Sequence, residues 1–241
     1  MKASPSDQQA ILEIQHLDNQ LASLAQREAS LPEIAALSSI VIKSNNTRDL
    51  RIAAETELTD IKRELARAEG DVEQIVTRIN RDEARLSSGT GTPKELEQTQ
   101  HELLTLGARR AELEEVELGI MVEVEGLNNR IAELRSTEAQ YAVEIADLEI
   151  KKENALTIIF NERSDVNQKR SAIEAPVAAD LKALYLKVSS DNNGNGAALL
   201  VGNECKGCHL TINTTEVGRI AALPADEVVR CEQCRCILVR G

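Results

Sequence analysis

The chain has 241 residues, a formal net charge of −12 and almost no aromatic side chains: Tyr141, Phe160 and Tyr185 are the whole complement, and Trp is missing. A single packed core of this length normally draws on more aromatic bulk, so a composition rich in Ala, Glu, Leu, Arg and Ile points to long helices and coiled coil. Residues 1–190 carry −11 of the charge and Asp191 the rest, which sets the helical part against nucleic acid and anionic membranes.

No apolar run approaches the ~20 residues that a membrane helix needs, and residues 1–7 lack an apolar secretion segment, so a cytoplasmic location is expected. A first helix is expected after Ser6 or Asp7, either of which can cap it, with Ile11, Ile14, Leu17, Leu21, Leu24 and Ala25 on its apolar side. It should end or kink at Leu31-Pro32, because proline removes a backbone donor and clashes with the preceding turn. Pro32 suits the first position of a second helix. In that helix Ala54, Leu58, Ile61, Leu65, Ala68, Val72, Ile75, Ile79, Asp82 and Leu86 alternate spacings of four and three, the 3.5-residue period of a left-handed coiled coil.

The period stops at Ser87-Ser88-Gly89-Thr90-Gly91. Thr92 can then cap a third helix, with Pro93 in its first turn and Glu95 completing a capping box, so the chain reverses at a tip over 87–93. A glycine-rich loop before a helix can cradle phosphate, but the strand and the Lys-Ser/Thr signature are absent. The third helix continues the ladder through Leu96, Leu103, Leu106, Leu113, Ile120, Val124, Leu127, Ile131, Leu134, Tyr141, Ile145, Leu148, Ala155 and Ile159. Thr99, Arg110, Glu117, Glu138 and Lys152 interrupt it with polar groups, which lower stability but can set register. Gly70, Gly107, Gly119 and Gly126 each weaken a helix interior by ~1 kcal/mol, so bending or loosening is expected near them. Two long helices joined by a short reversal make an antiparallel hairpin, elongated rather than globular, since fifty helical residues extend about 75 Å.

The helical pattern fades around Ser171 to Pro176. A short amphipathic segment over 177–188, with Leu181, Leu184, Tyr185 and Val188 on one face, precedes a turn and linker at 189–196. The expected architecture is therefore mainly α: residues 1–190 form the hairpin, and residues 191–241 form a small β-rich domain. Within the latter, strands are expected at 197–201, 228–230 and 237–239, and a helix at 215–223 capped by Thr214.

That domain carries Cys205-Lys206-Gly207-Cys208 and Cys231-Glu232-Gln233-Cys234, two Cys-x-x-Cys pairs separated by 22 residues. Each pair converges two thiolates, and the two together supply four soft ligands in the tetrahedral set that structural zinc prefers. Such a site is closed, with no position for an activated water, so it is a folding device rather than a hydrolytic centre. Disulfides would need an oxidising compartment, and a thioredoxin-like pair would need a βαβ setting that is missing. Cys236 and His209 lie next to the ligands and could replace one. A small buried thiol and a solvent-facing imidazole are the commoner outcomes, so the ligand set is read as Cys205, Cys208, Cys231 and Cys234 around one Zn2+. About forty residues hold too little apolar surface to fold without that ion.

Several motifs together carry a resemblance: Gly-Thr-Pro-Lys-Glu-Leu at 91–96, Ile-Met-Val-Glu at 120–123, Cys-x-Gly-Cys-His at 205–209, and Cys-x-x-Cys-x-x-Ile-Leu-x-Arg at 231–240. On these the chain resembles bacterial coiled-coil proteins with a C-terminal four-cysteine zinc ribbon of RING-like type. Such proteins usually have Gly-Arg after the last cysteine, whereas Arg235-Cys236 stands here, which makes the turn less relaxed and adds a thiol beside the metal. The resemblance implies a non-enzymatic factor that binds proteins, among them sigma factors and secretion components, and in some members nucleic acid.

The residues themselves leave two functions to weigh. One is a protein-binding adaptor or regulator, using the coil and the ribbon as docking surfaces. The other is an RNA- or DNA-binding regulator using the ribbon and Arg78, Arg81, Arg85 and Lys94 near the tip. Against the second, Asp82, Glu83, Glu95 and Glu97 lie among those cations, residues 201–241 hold five basic and five acidic side chains, and no aromatic platform is present. No triad, paired-carboxylate cleft or open metal position can be assigned, so no enzymatic activity is expected.

Overall fold

Proline begins each of the three longest helices. In the computed structural model, which describes residues 1–241, these are α1 (Pro5–Ala29), α2 (Pro32–Ser87) and α3 (Pro93–Glu174). At a first helical position the missing proline N–H has no partner to lose, and its φ already suits a helix. Ser4, rather than Ser6 or Asp7, caps α1: its Oγ accepts from the Asp7 N–H at 3.1 Å, because Pro5 already takes the first helical position. At the start of α3 the expected capping box is present, with Glu95 accepting from the Thr92 N–H at 2.7 Å and the Glu95 N–H reaching the Thr92 hydroxyl at 3.4 Å. Both long helices run unbroken through Gly70, Gly107, Gly119 and Gly126, where loosening was expected. A ~1 kcal/mol penalty is small against the surrounding ladder of helix formers.

The chain divides into two compact units, Ala35–Glu149 being one and Met1–Ile34 with Ile150–Gly241 the other. The first is an antiparallel pair of helices from α2 and α3. Arg51 Nε meets both Glu138 carboxylate oxygens at 3.0 Å, Arg135 meets Glu55 at 2.8 Å, and Arg78 meets Glu102 at 3.5 Å, so positions rising along α2 pair with positions falling along α3. Every α2 ladder residue from Ala54 to Leu86 is buried or half-buried. On α3 the same holds from Leu96 to Leu148, with Arg110 alone exposed. Period and burial therefore coincide over the whole hairpin, which is what selects one register out of the many a long helix pair could slide through.

In the other unit, α1 lies against the C-terminal part of α3. Arg27 pairs with Glu162 at 2.9 Å, Arg163 with Glu28, and Arg170 with Asp18 at 2.5 Å, while Leu24, Leu31 and Ile159 form an apolar cluster. The chain continues into α4 (Ala179–Asp191), which takes in residues 189–191 that were expected to be linker. The helix closes when the Gly194 N–H bonds the Ser189 carbonyl at 2.8 Å, with Gly194 at φ 95°.

Four strands follow: β1 (Ala197–Val201), β2 (Glu204–Cys205), β3 (Val229–Arg230) and β4 (Ile237–Arg240), with α5 (Thr214–Ala222) between β2 and β3. Asn213, not Thr214, caps α5, its Oδ1 accepting from the Thr215 N–H at 3.0 Å. The sheet order is β2-β1-β4-β3, and its central pair is parallel, Ala197 opposite Ile237 through Leu200 opposite Arg240.

This sheet is packed from both sides. Ile220, Val229, Leu238 and Val188 make one cluster with the cysteines, while Ile11, Ile14, Val177, Leu181, Tyr185 and Ile237 make another. Each such fully buried side chain contributes about 1.5–3 kcal/mol, so helices α1 and α4 supply apolar area that forty ribbon residues alone lack.

Candidate metal centre

The two cysteine pairs sit in two turns of the same build. In the first, the Cys205 N–H bonds the Leu210 carbonyl at 3.1 Å and the His209 N–H bonds the Cys205 carbonyl at 2.8 Å. In the second, the Cys231 N–H bonds the Cys236 carbonyl at 2.9 Å and the Arg235 N–H bonds the Cys231 carbonyl at 2.9 Å. Each turn is closed by a left-handed residue after its second cysteine, His209 at φ 58° and Arg235 at φ 65°. Glycine would take that conformation without strain, whereas a side chain raises the energy by about 1–2 kcal/mol. Gly207 is needed for a different reason: a Cβ there would fall 2.9 Å from the Ala198 Cβ and 3.3 Å from the Cys236 Sγ.

The sulfurs of Cys205, Cys208, Cys231 and Cys234 all lie within 4.8 Å of one another. Cys205 and Cys234 are 3.9 Å apart, and Cys208 and Cys231 4.0 Å apart. A tetrahedral four-thiolate zinc site with Zn–S near 2.3 Å has sulfurs about 3.8 Å apart, so donor type, number and spacing all fit one structural zinc ion. Zinc would draw its four ligands from the two turns and tie β2 to the β3–β4 end of the sheet. With all four positions taken by sulfur, the site has no place for a reacting water.

Burial pushes the Cys208 thiol up to about 12, and burial likewise raises Cys231. Burial also opposes ionisation of Cys234, but hydrogen bonds from the Cys236 N–H and from the neighbouring thiols outweigh it and hold Cys234 at about 7. Metal binding by such a set of thiols releases protons, so its affinity falls as pH falls. Around the centre, His209 is exposed and meets Glu204 at 3.3 Å, while Cys236 is fully buried.

Several residues that hold this centre in place carry no motif. Gln8 donates to the Ala3 and Ala225 carbonyls, each at 3.0 Å. Gln15 donates to the Gly194 carbonyl at 2.8 Å and accepts from the N–H groups of Gly196 and Ala197 at 2.6 and 3.1 Å. Asp18 accepts from Arg170 and, at 2.7 Å, from the Tyr185 hydroxyl. Burial and that carboxylate push the Tyr185 phenol up, and Arg170 is raised by its hydrogen bond to Asp18. Tyr185 in turn needs Gly196, whose Cβ would fall 2.6 Å from the ring. Arg240 donates to five carbonyls, those of Ile220, Leu223, Pro224, Ala225 and Glu227, between 2.8 and 3.2 Å, closing the C-terminal end of α5. One signal was available for the glutamines: Gln8 and Gln15 recur at helical spacing on the stripe of Ile11 and Ile14, polar groups on a buried face.

Near the hairpin tip, Arg78 and Arg81 share Asp82, at 3.8 and 3.6 Å. Arg85 adds its field to Glu95, whose carboxyl is held down first by the Thr92 backbone and hydroxyl. Lys94 is exposed. The three arginines thus each face a carboxylate.

A long helical hairpin followed by a ribbon with a four-sulfur centre defines a class of protein, and the chain belongs to it. The family model for the CT398-like coiled coil hairpin domain matches residues 14–193, and that for the C4-type zinc ribbon domain matches residues 205–238. Among individual relatives, the uncharacterized protein Rv2229c of Mycobacterium tuberculosis is 34% identical over 245 residues, covering 100% of this chain and 98% of its own length. A solved structure from Mycobacterium smegmatis superposes with TM-score 0.87 at 30% identity, covering both chains fully. CT398 from Chlamydia trachomatis gives TM-score 0.69 at 19% identity over 98% of both chains, a likeness of fold.

Proposed function

We propose that the protein is a non-enzymatic adaptor that binds protein partners through the coiled-coil hairpin and through a zinc-held ribbon, working in the cytoplasm. The observation that carries this reading is apolar surface on the hairpin that its own pairing leaves uncovered: Leu104, Leu118, Val122 and Val143 are 71%, 61%, 68% and 72% exposed. Large exposed aliphatic side chains on a rigid helix are the raw material of a helix-in-groove or helix-on-helix contact. No helix is long and apolar enough to cross a membrane, so these side chains are not explained as a span. The partner classes brought by the resemblance, a sigma factor or a secretion component, are the ones to test first.

The test is capture of purified candidates by the intact protein, by a Leu118→Glu/Val122→Glu variant and by a Cys205→Ser/Cys208→Ser variant. Capture that survives moderate salt and is lost in at least one variant supports the adaptor reading. Binding of RNA or DNA with a steep loss of affinity as salt rises, with no protein captured, would replace it with the nucleic-acid reading.

A further inference from the structure

A fifth thiol stands against the zinc centre. The Cys236 Sγ lies 3.6 Å from the Cys205 Sγ and 3.1 Å from the Cys234 Sγ. Seen from Cys205, Cys236 is therefore as near as the ligand Cys234, itself 3.9 Å away. Both separations are close to the ~3.8 Å edge that a tetrahedral four-thiolate centre imposes.

The turn does not require a thiol there. In the first turn the residue two places after the second cysteine is Leu210, which is half exposed, whereas Cys236 is fully buried with its sulfur against Gly207 and the ligand cluster. One residue, Arg235, separates the two sulfurs, and it already sits in the left-handed conformation at φ 65°.

We infer that Cys236 is a reserve ligand, able to take the place of Cys234 on the zinc ion and keep a four-thiolate centre of Cys205, Cys208, Cys231 and Cys236. The exchange is a ligand substitution: the Cys236 sulfur bonds the metal and gives up its proton, while the Cys234 sulfur leaves and accepts one. No electron changes hands, and the charge of the centre is conserved. The inference rests on zinc being held by these turns and not on the adaptor role.

The experiment uses the full-length chain loaded with Co2+ in place of zinc under reducing conditions, because sulfur-to-cobalt charge-transfer intensity scales with the number of bound thiolates. Cys234→Ala is compared with wild type, with Cys236→Ala and with the double variant Cys234→Ala/Cys236→Ala. Wild type, Cys236→Ala and Cys234→Ala are expected to show equal four-thiolate intensity, and the double variant to fall to about three quarters of it. A chelator should also strip zinc from the double variant more readily than from Cys234→Ala, by at least the roughly 10- to 100-fold that loss of a mere outer-shell partner costs. If Cys234→Ala already shows the intensity and chelator sensitivity of the double variant, or holds no cobalt, the inference is overturned.

Discussion

Replacing Gln15 with Met tests whether the N-terminal helix is a working part of the sheet. The side chain is 4% exposed, and its one carbonyl oxygen takes both the Gly196 N–H at 2.6 Å and the Ala197 N–H at 3.1 Å, just where β1 begins. Methionine has nearly the same length and fills the same space, so packing is conserved. What is removed is the acceptor, together with the amide donor that meets the Gly194 carbonyl and Asn19 Oδ1, each at 2.8 Å. Two buried backbone donors are then left without a partner, each worth about 1–3 kcal/mol, and the sum after local relaxation is about 2–5 kcal/mol. Against a total folding free energy of about 5–15 kcal/mol that is a large fraction. Amide hydrogen exchange reads it directly: in the zinc-loaded protein, exchange of the β1 and β4 amides should speed up roughly 30-fold or more. Gln20→Met is the control, since Gln20 is exposed and bonds His16 alone at 3.0 Å. If Gln15→Met accelerates exchange no more than Gln20→Met does, α1 does not hold the sheet and the argument fails.

Four further outcomes are expected. Chelating zinc should abolish exchange protection in the two cysteine turns while the helical circular dichroism of the hairpin persists, and acid should do the same, because protons compete for thiolates and zinc affinity falls with pH. Gly207→Ala should weaken zinc retention in a chelator competition, because the added methyl group would sit 2.9 Å from the Ala198 Cβ, and shifting the Gly207 backbone away would carry the flanking Cys205 and Cys208 with it. Arg240→Met should lower the melting temperature of the zinc-loaded protein, since five carbonyls around the end of α5 lose a charged donor, a loss of about 2–4 kcal/mol if water replaces it in part. The Glu55 carboxyl is held below its ordinary range by Arg135 and Arg51, so its contribution is full at neutral pH and disappears as pH falls through that depressed value. Melting temperatures of wild type and Glu55→Gln should therefore differ at pH 7 and converge in acid.

Sequence disclosed most where a single period or spacing governs the structure. The four-three ladder needs no tertiary information, because each step places an apolar residue on the same side of a helix, and the prolines at 32 and 93 mark helix starts by their own covalent geometry, whereas the start at Pro5 comes two or three residues before the expected one. The cysteine turns are legible for a similar reason: ligand spacing is local. Helix ends were harder. Ser189 to Asp191 look like linker by composition, yet the buried Val188 anchors the helix one turn longer, and the closing bond belongs to Gly194. Least legible was the docking of α1 on the ribbon. Ile11 and Ile14 announce a buried face without saying against what, and the partners, Ile237 and the N–H groups of Gly196 and Ala197, lie about 180 residues or more further along the chain, beyond the reach of any periodicity argument.

The parallel pairing of β1 with β4 has a bearing on how the protein is made. Its central strand leaves the ribosome roughly 210 residues after α1, which at 5–20 residues per second is about 10–40 seconds of translation. Through that interval Ile11 and Ile14 gain Val177, Leu181, Tyr185 and Ala197 as each is synthesised, and Gln15 gains Gly194, Gly196 and Ala197, but Ile237 comes last of their cluster. Until Ile237 and its neighbours in β4 emerge, α1 keeps a partly uncovered apolar side, and only with that strand in place can sheet, helix and metal site close together.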